Sequence, residues 1–234
     1  MIRYCLITGA TGGLGRALAA EFRGQGYHVI IAARHRGKLD ELTETLGGTA
    51  HATPVVADLR TSGGARALLA GVEAVTRRLH VVVAGAGIAL EESIAEPVEP
   101  LDAWHDMIAL NIFGVAATAR ITLPMLRTTG GTLFFIGSIA GTAPRAGDLY
   151  SVTKHAVAAL AESVRLEAET LGVNVCVVHP GLMRTPMLTG ARAARASIRP
   201  EDVARAIAGS VAAQLPFQLN TLVLRPTIGD IQND

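Results

Sequence analysis

The stretch YCLITGATGGLGRALAAEF, residues 4–22, decides how the rest of the chain reads. YCLIT is an apolar run of strand length, and RALAAEF carries a helical pattern. The glycines between them, at positions 9, 13 and 15, permit a tight turn, a close approach of backbone to a pyrophosphate, and close packing of the helix on the strand. A helix that starts there points its unpaired N–H groups at the phosphates. The competing reading is a glycine-rich turn that binds nothing. The strand before it and the helix after it favour the phosphate cradle.

Further along the chain, the runs HVIIAA, TPVVA, HVVVAG, GTLFFIG, VNVCVVH and TLVL follow YCLIT as strands, separated by longer amphipathic stretches. Their near-continuous Val, Ile and Leu suit a parallel sheet covered on both faces, because a strand buried on both sides does not alternate with polar residues. The expected fold class is α/β: a doubly wound Rossmann fold, a parallel seven-stranded sheet with helices on both faces and a ligand site at the carboxyl ends of the strands. One domain over residues 1–234 is expected, with a short substrate lid at about 182–199.

Composition excludes several alternatives. The 234 residues are 50% hydrophobic and 18% charged, enough to bury a sizeable core. A formal net charge of +1 with scattered arginines lacks the basic excess that phosphate neutralisation on a nucleic acid needs. No apolar run approaches the roughly 18–20 residues that span a bilayer, so no membrane partner and a cytoplasmic location are expected. Cys5 and Cys176 fall inside interior strands as small apolar side chains, and the seven histidines show no metal-ligand spacing. No metal is expected.

Cofactor choice is written at the end of the second strand, IIAARHRGKL. A carboxylate there would accept hydrogen bonds from the adenosine ribose, and arginine there would receive a 2′-phosphate. Ala33 takes the place of the acid, Arg34 follows it, and Arg36 and Lys38 lie nearby. The reading is NADP(H), with NAD(H) second; the alternative is that Arg34 merely opens a solvated helix. Asp58, with Leu59 beside it after the third strand, is placed either to hydrogen-bond the adenine amino group or to cap the next helix.

In LYSVTKHAVAAL, residues 149–160, Tyr150 and Lys154 lie one helical turn apart on one face. An ammonium beside a phenol favours the phenolate, which brings a group that titrates near pH ~10 toward use as an acid or base. LFFIGS, residues 133–138, delivers Ser138 to the carboxyl edge of the sheet, where its hydroxyl can hold a carbonyl oxygen. An ST-turn at Ser138 and an ordinary packing pair on the helix are the plain structural readings.

These residues together resemble the short-chain dehydrogenase/reductase family, in its compact single-domain branch, over nearly the whole chain. TGATGGLG resembles the family's nucleotide-binding glycine motif, and YSVTK at 150–154 resembles its Tyr-x-x-x-Lys motif. Ser138, Asn111 in LNIFGV, and HPGLMRT at 179–185 fall in the family's order. The resemblance implies Tyr150 as catalytic acid/base, with Lys154 lowering its pKa and binding the nicotinamide ribose. It implies that Ser138 polarises the carbonyl and that Asn111 holds a water linking Lys154 to solvent. Gly9, Gly13 and Gly15 would carry the phosphate turn, with Thr11 and Leu14 around it. Pro180 and Gly181 would face the nicotinamide, and Thr185 would bond its carboxamide. Where the family often has Asn-Asn-Ala-Gly, this chain has AGAG at 84–87, so Gly85, Ala86 and Gly87 shape the ribose end without side-chain amides. Thr8, Gly9, Gly12 and Gly15 also fit the epimerase-like branch; chain length favours the compact one.

The expected activity is carbonyl–alcohol interconversion by hydride transfer on a small-molecule substrate. A 3-oxoacyl carrier-protein reductase and a non-enzymatic dinucleotide sensor are the alternatives. Ile139, Ala140, Leu149, Met183, Met187 and Leu188 are expected to line an apolar substrate pocket, and Arg145 or Arg184 is the candidate receiver of an anionic substrate group. The apolar patterns at 104–126 and 151–171, with the small residues Ala156, Ala158 and Ala159, point to a homodimer or homotetramer.

Overall fold

The computed structural model describes residues 2–90, 93–96, 98–185, 187, 198–213 and 217–226. Strands and helices alternate in the order β1 (Arg3–Thr8), α1 (Gly13–Gly24), β2 (Tyr27–Ala33), α2 (Arg36–Thr45), β3 (Ala52–Val56), α3 (Ser62–Glu73) and β4 (Val81–Ala84). They continue with α4 (Leu101–Ile108), α5 (Val115–Arg127), β5 (Thr132–Ile136), α6 (Leu149–Glu169), β6 (Asn174–Pro180), α7 (Pro200–Ala212) and β7 (Thr221–Leu224). The strands form one seven-stranded sheet in the order β3-β2-β1-β4-β5-β6-β7, every pairing parallel. All seven expected strands are present, with ends moved by a residue or two. The order reverses between β1 and β4, the place where a doubly wound sheet opens a crevice.

Side-chain alternation divides the core into two layers. Cys5, Ile7, Val29, Ile31, Val81, Val83, Phe134, Cys176 and Val178 turn to the face covered by α1, α2 and α7. Leu6, Ile30, Val82, Leu133, Phe135, Val175 and Val177 turn to the face covered by α3, α5 and α6. Both faces are dry, so the strands read as unbroken apolar runs. Only the edge departs: β7 alternates exposed with half-buried residues, and Pro54, which lacks an N–H, sits in the other edge strand, β3.

One sequence expectation is corrected by the helix before β5. α4 and α5 are joined without a break by a π-helical turn, Ala109–Gly114, so that Leu101–Arg127 is a single helix of 27 residues with a mean hydropathy of 1.4 in its most apolar window. By length and composition it could span a bilayer, although the sequence showed no such run. Val115, Ala119, Met125 and Leu126 on this helix are buried against the sheet, while Leu101, Ile108 and Phe113 are exposed. A few charged residues spread along the helix hide its length from a count of consecutive apolar residues.

Burial pushes the Cys176 thiol up to about 12 and the Cys5 thiol well above its ordinary value, as expected of thiols packed between strand and helix.

Phe135 is fully buried at the centre of the α3/α5/α6 layer. Phe135→Ala should lower unfolding stability by about 3–5 kcal/mol, read as a drop in urea midpoint at unchanged slope. A loss below about 1 kcal/mol would mean that this layer is not close-packed.

Candidate active site

The cleft opens where β1 and β4 diverge, and it begins with a steric requirement. Gly9 has φ +70°, and a Cβ on it would lie 2.8 Å from the Ala86 Cα and 2.9 Å from the Gly85 carbonyl oxygen. A Cβ on Gly15 would lie 2.3 Å from the Gly9 carbonyl oxygen. Neither position tolerates a side chain, so the end of β1, the first turn of α1 and the turn after β4 are in backbone contact. Gly13 is the first residue of α1, behind the extended N-cap Gly12, which has no side chain to cap the helix. The first N–H groups of α1 are thus directed to the cleft for an anion. Arg16 holds the loop from behind, donating from Nε to the Thr11 carbonyl at 3.3 Å and pairing with Glu41.

The AGAG turn is braced from a direction the sequence did not suggest. Thr8 Oγ1 accepts from the Gly85 and Ala86 N–H groups at 3.2 and 3.4 Å, and so does part of the work of the missing amides. Gly87 makes room: a Cβ there would meet Asn111 Oδ1 at 3.1 Å and Lys154 Nζ at 3.6 Å. Two side chains from different helices therefore converge on one residue that has none.

Asn111 sits in the π-helical turn and is fully buried. Its Oδ1 accepts from the Ile88 N–H at 2.9 Å, and its Nδ2 donates to the Ile88 carbonyl at 2.9 Å and to Thr153 Oγ1 at 3.0 Å. Thr153, between Tyr150 and Lys154, donates its hydroxyl hydrogen bond to the Tyr150 carbonyl at 2.8 Å. The start of α6 is fixed as well: Asp148 caps it by accepting from the Ser151 N–H, and the Ser151 hydroxyl donates to the Ala140 carbonyl. Sequence reading singled out the ends of YSVTK and missed that its inner Ser151 and Thr153 set the helix in place.

Lys154 is buried, with Nζ donating to the Ile136 carbonyl at 2.9 Å and lying 5.6 Å from the Tyr150 ring centroid. Burial pushes its ammonium down to about 8. Ser138 follows β5 after Gly137, and its Oγ accepts from the Ala140 N–H at 3.1 Å, the ST-turn of the plain reading. Behind it, buried His179 places Nδ1 2.9 Å from the Ser138 carbonyl and 3.3 Å from its N–H. Burial lowers the His179 imidazole below its ordinary value, a lowering that the Ser138 bond opposes and the charges of Lys154 and His155 reinforce. A neutral ring with its proton on Nδ1 donates to Ser138 and steadies it. In the sequence only its place at the head of HPGLMRT marked His179.

A cavity of about 340 Å³ runs from the glycine turn to Lys154. Of the expected site residues it is lined by Gly9, Thr11, Gly13, Leu14, Gly15, Arg34, Asp58, Leu59, Gly85, Ala86, Gly87, Tyr150, Lys154 and Thr185. Asn111, Ser138, Pro180 and Gly181 stand behind or beside that lining. Ala33, Arg34, His35 and Lys38 form its far rim, whereas Arg36 turns to an ion pair with Asp40. Asp58 is not the helix cap: Thr61 caps α3 by accepting from the Gly64 N–H, and Asp58 is held by Arg60. Arg60 holds the Asp58 carboxyl below the usual carboxylate range, with Arg34 contributing weakly.

The two ends of the expected lid meet. Met183 bridges Ile198, and Arg184 N–H donates to the Ile198 carbonyl. Met183, Thr185 and Met187 line the cavity, while Arg184 between them is exposed. Leu188 and most of the rest of the lid lie outside the described residues.

A glycine cradle at the strand reversal, joined by one cleft to a buried lysine beside a tyrosine, defines a doubly wound protein built to take a dinucleotide. The chain belongs to the short chain dehydrogenase family, whose sequence profile matches residues 3–196. It is 31% identical to sulfoacetaldehyde reductase 2 of Chromohalobacter salexigens, over 95% of this chain and 93% of that protein. The closed form of a serine dehydrogenase complexed with NADP+ superimposes with a TM-score of 0.84 at 29% identity, covering 95% of this chain and 94% of that one. The alcohol dehydrogenase of the archaeon Thermococcus sibiricus, complexed with 5-hydroxy-NADP, shares the fold at a TM-score of 0.84 and 24% identity, covering 97% of this chain and 100% of that one.

The depressed lysine has a measurable signature. Folding favours neutral Lys154, so between its folded value of about 8 and an unfolded value near ~10.4 the unfolded chain binds more protons, and stability rises with pH. The cost of burying the charge is fully present below pH 8 and gone above the unfolded value, a swing on the order of 3 kcal/mol. The buried thiols act in the opposite sense, so the comparison is between wild type and Lys154→Met: their stability difference in urea should shift in favour of wild type from pH 7.5 to 10. A difference independent of pH would show that Lys154 is hydrated.

Proposed function

We propose that this protein is an NADP(H)-dependent oxidoreductase that interconverts a small carbonyl compound and its alcohol. The observation that carries the reading is the convergence of Asn111 and Lys154 on Gly87, with Tyr150 on the same cleft wall, at the far end of a cavity that begins at the Gly9–Gly15 cradle. The cradle fits a pyrophosphate because side chains are sterically excluded there and helix N–H groups face it. A bound nicotinamide would supply or accept the hydride.

The chain's own groups have the remaining tasks. The Tyr150 hydroxyl gives a proton to the carbonyl oxygen in reduction and takes it back in oxidation. The ammonium of Lys154 stabilises negative charge developing on the phenol and is within reach of a ribose. Ser138 Oγ accepts from Ala140, which leaves its hydroxyl proton to donate to the substrate oxygen. Asn111 fixes the turn at Ile88 and ties it through Thr153 to the helix of Tyr150.

The preference for NADP(H) is supported by the rim. No carboxylate stands at Ala33, and Arg34, His35 and Lys38 surround the place of a 2′-phosphate. The serine dehydrogenase at 29% identity was solved with NADP+. A small substrate is supported by the apolar Met183 and Met187 at the mouth and by the relative named as a sulfoacetaldehyde reductase. Assembly into a homodimer or homotetramer fits the exposed Ile108, Phe113, Val152 and Leu166 on the α4, α5 and α6 side.

Two measurements test the reading. Arg34→Ala should weaken NADPH binding about tenfold or more and leave NADH binding unchanged, since one charge-assisted bond to phosphate is lost; equal effects on both would remove the 2′-phosphate assignment. Tyr150→Phe should lower kcat by about 10²–10⁴-fold on a panel of small aldehydes and ketones, with NADPH affinity retained. Turnover at the wild-type rate would sink the proposed chemistry.

A further inference from the structure

Ser138 is held from behind by a buried histidine for which the reaction proposed above has no use. His179 lies next to the end of β6 and is 4% exposed; by alternation along the strand it faces the α6 side of the sheet, as Val175 and Val177 do. The last rung between β5 and β6 runs from the Gly137 N–H to the Val178 carbonyl, at 2.7 Å. Past that rung the imidazole takes the place of a partner strand. Gly137 admits it: a Cβ there would lie 2.7 Å from His179 Nδ1 and 2.9 Å from Cε1. The residue before Ser138 thus has no room for a side chain because the ring stands there.

Ser138 is extended, with φ −170° and ψ 157°, and an extended residue turns its own N–H and C=O to the same side. Nδ1 faces both, 2.9 Å from the oxygen and 3.3 Å from the nitrogen. One ring nitrogen donates or accepts and does not do both, so the two contacts belong to two tautomers. With its proton on Nδ1 the ring holds the carbonyl; with its proton on Nε2 it holds the N–H. The shorter contact selects the first. Burial lowers the imidazole below its ordinary value, which keeps the ring neutral and leaves the tautomer to decide the bond. On the other side of the residue, Ser138 Oγ accepts from the Ala140 N–H. The hydroxyl is therefore set by two anchors, one on the turn ahead and one on the strand behind.

We propose that His179 is a positioning residue for the reaction: with its proton on Nδ1 it fixes the Ser138 carbonyl, and through that residue the aim of the Ser138 hydroxyl at the substrate oxygen. This deepens the function proposed above and rests on it. His179 acts through Ser138 and takes no proton in the cycle. Its contribution is orientation, where a displacement of about 1 Å in a reacting group costs up to about a hundredfold in rate. The other tautomer would release the carbonyl and hold the residue by its N–H instead.

The test is a double-mutant cycle on kcat with a panel of small aldehydes and ketones, NADPH affinity being read in parallel. His179→Leu keeps the bulk of the ring and removes its hydrogen bond, whereas His179→Asn can put an amide N–H where Nδ1–H stands. His179→Leu should lower kcat about ten- to hundredfold with NADPH affinity unchanged, and His179→Asn should recover most of that loss. In a Ser138→Ala background, His179→Leu should cost less than about twofold more, because the hydroxyl that it aims is gone. Equal losses in both backgrounds, or wild-type kcat in His179→Leu, would overturn the inference, and so would a fall in NADPH affinity that matches the fall in kcat. The nitrogen NMR spectrum of the wild-type imidazole needs no variant: the proton should be found on Nδ1, and a proton on Nε2 would sink the idea as well. If wild type reduces nothing on the panel, the proposed function falls and takes this inference with it; if wild type is active and the cycle is additive, this inference alone falls.

Discussion

The structure depends on two places where backbone meets backbone with no room for a Cβ: Gly9 against the turn after β4, and Gly15 against the carbonyl of Gly9. These contacts seat α1 deep against the sheet at the point where strand order reverses. Seated there, α1 directs its first N–H groups into the crevice and leaves the carboxyl ends of β1 and β4 to form its floor. A side chain at either glycine would push the helix outward and widen the cradle past the reach of those N–H groups. Tyr150 and Lys154 are placed relative to this fixed end, because one cavity runs between them.

The far end of the cleft is assembled by small polar groups acting on main chain. Thr8 holds the AGAG turn, Asn111 holds Ile88, Thr153 joins Asn111 to the Tyr150 carbonyl, and His179 holds Ser138. None of these bonds is long-ranged in effect, yet they connect β1, the π-helical turn, α6 and β6 around one space. Most of these bonds end on backbone, so they fix the main chain that carries Tyr150 and Ser138. The chain's departure at 84–87 follows from the same economy of space: glycine at 87 admits both Asn111 and Lys154, and the threonine below supplies the acceptor for the turn.

Much of this was legible in the sequence because burial on both faces leaves a plain mark. All seven strands appeared as apolar runs, and the Gly9, Gly15, Tyr150 and Lys154 positions appeared through spacing that ordinary packing does not ask for. What stayed hidden was hidden for physical reasons. The π-helical turn at Ala109–Gly114 has no composition that distinguishes it from the α-helix on either side. Thr8, Thr153 and His179 act through contacts between residues distant in sequence. The Arg60 triad joins residues 58, 60 and 106, and only the fold brings the last of these to the others. Asp58 was read for its position after a strand, and the position was sound; its pairing with Arg60 was invisible.

The two buried thiols give the chain a built-in clock. Cys5 lies on β1 and Cys176 on β6, across the reversal with β4 and β5 between them, and each is packed under helices of the same layer. An alkylating reagent needs thiolate and access, and burial withholds both. Where alkylation outpaces reclosing, labelling of the native chain proceeds at the pace of sheet opening; where it does not, labelling follows the population of the open form. Because the thiols sit in different halves of the sheet, the masses of singly and doubly labelled chains tell whether those halves breathe apart or together.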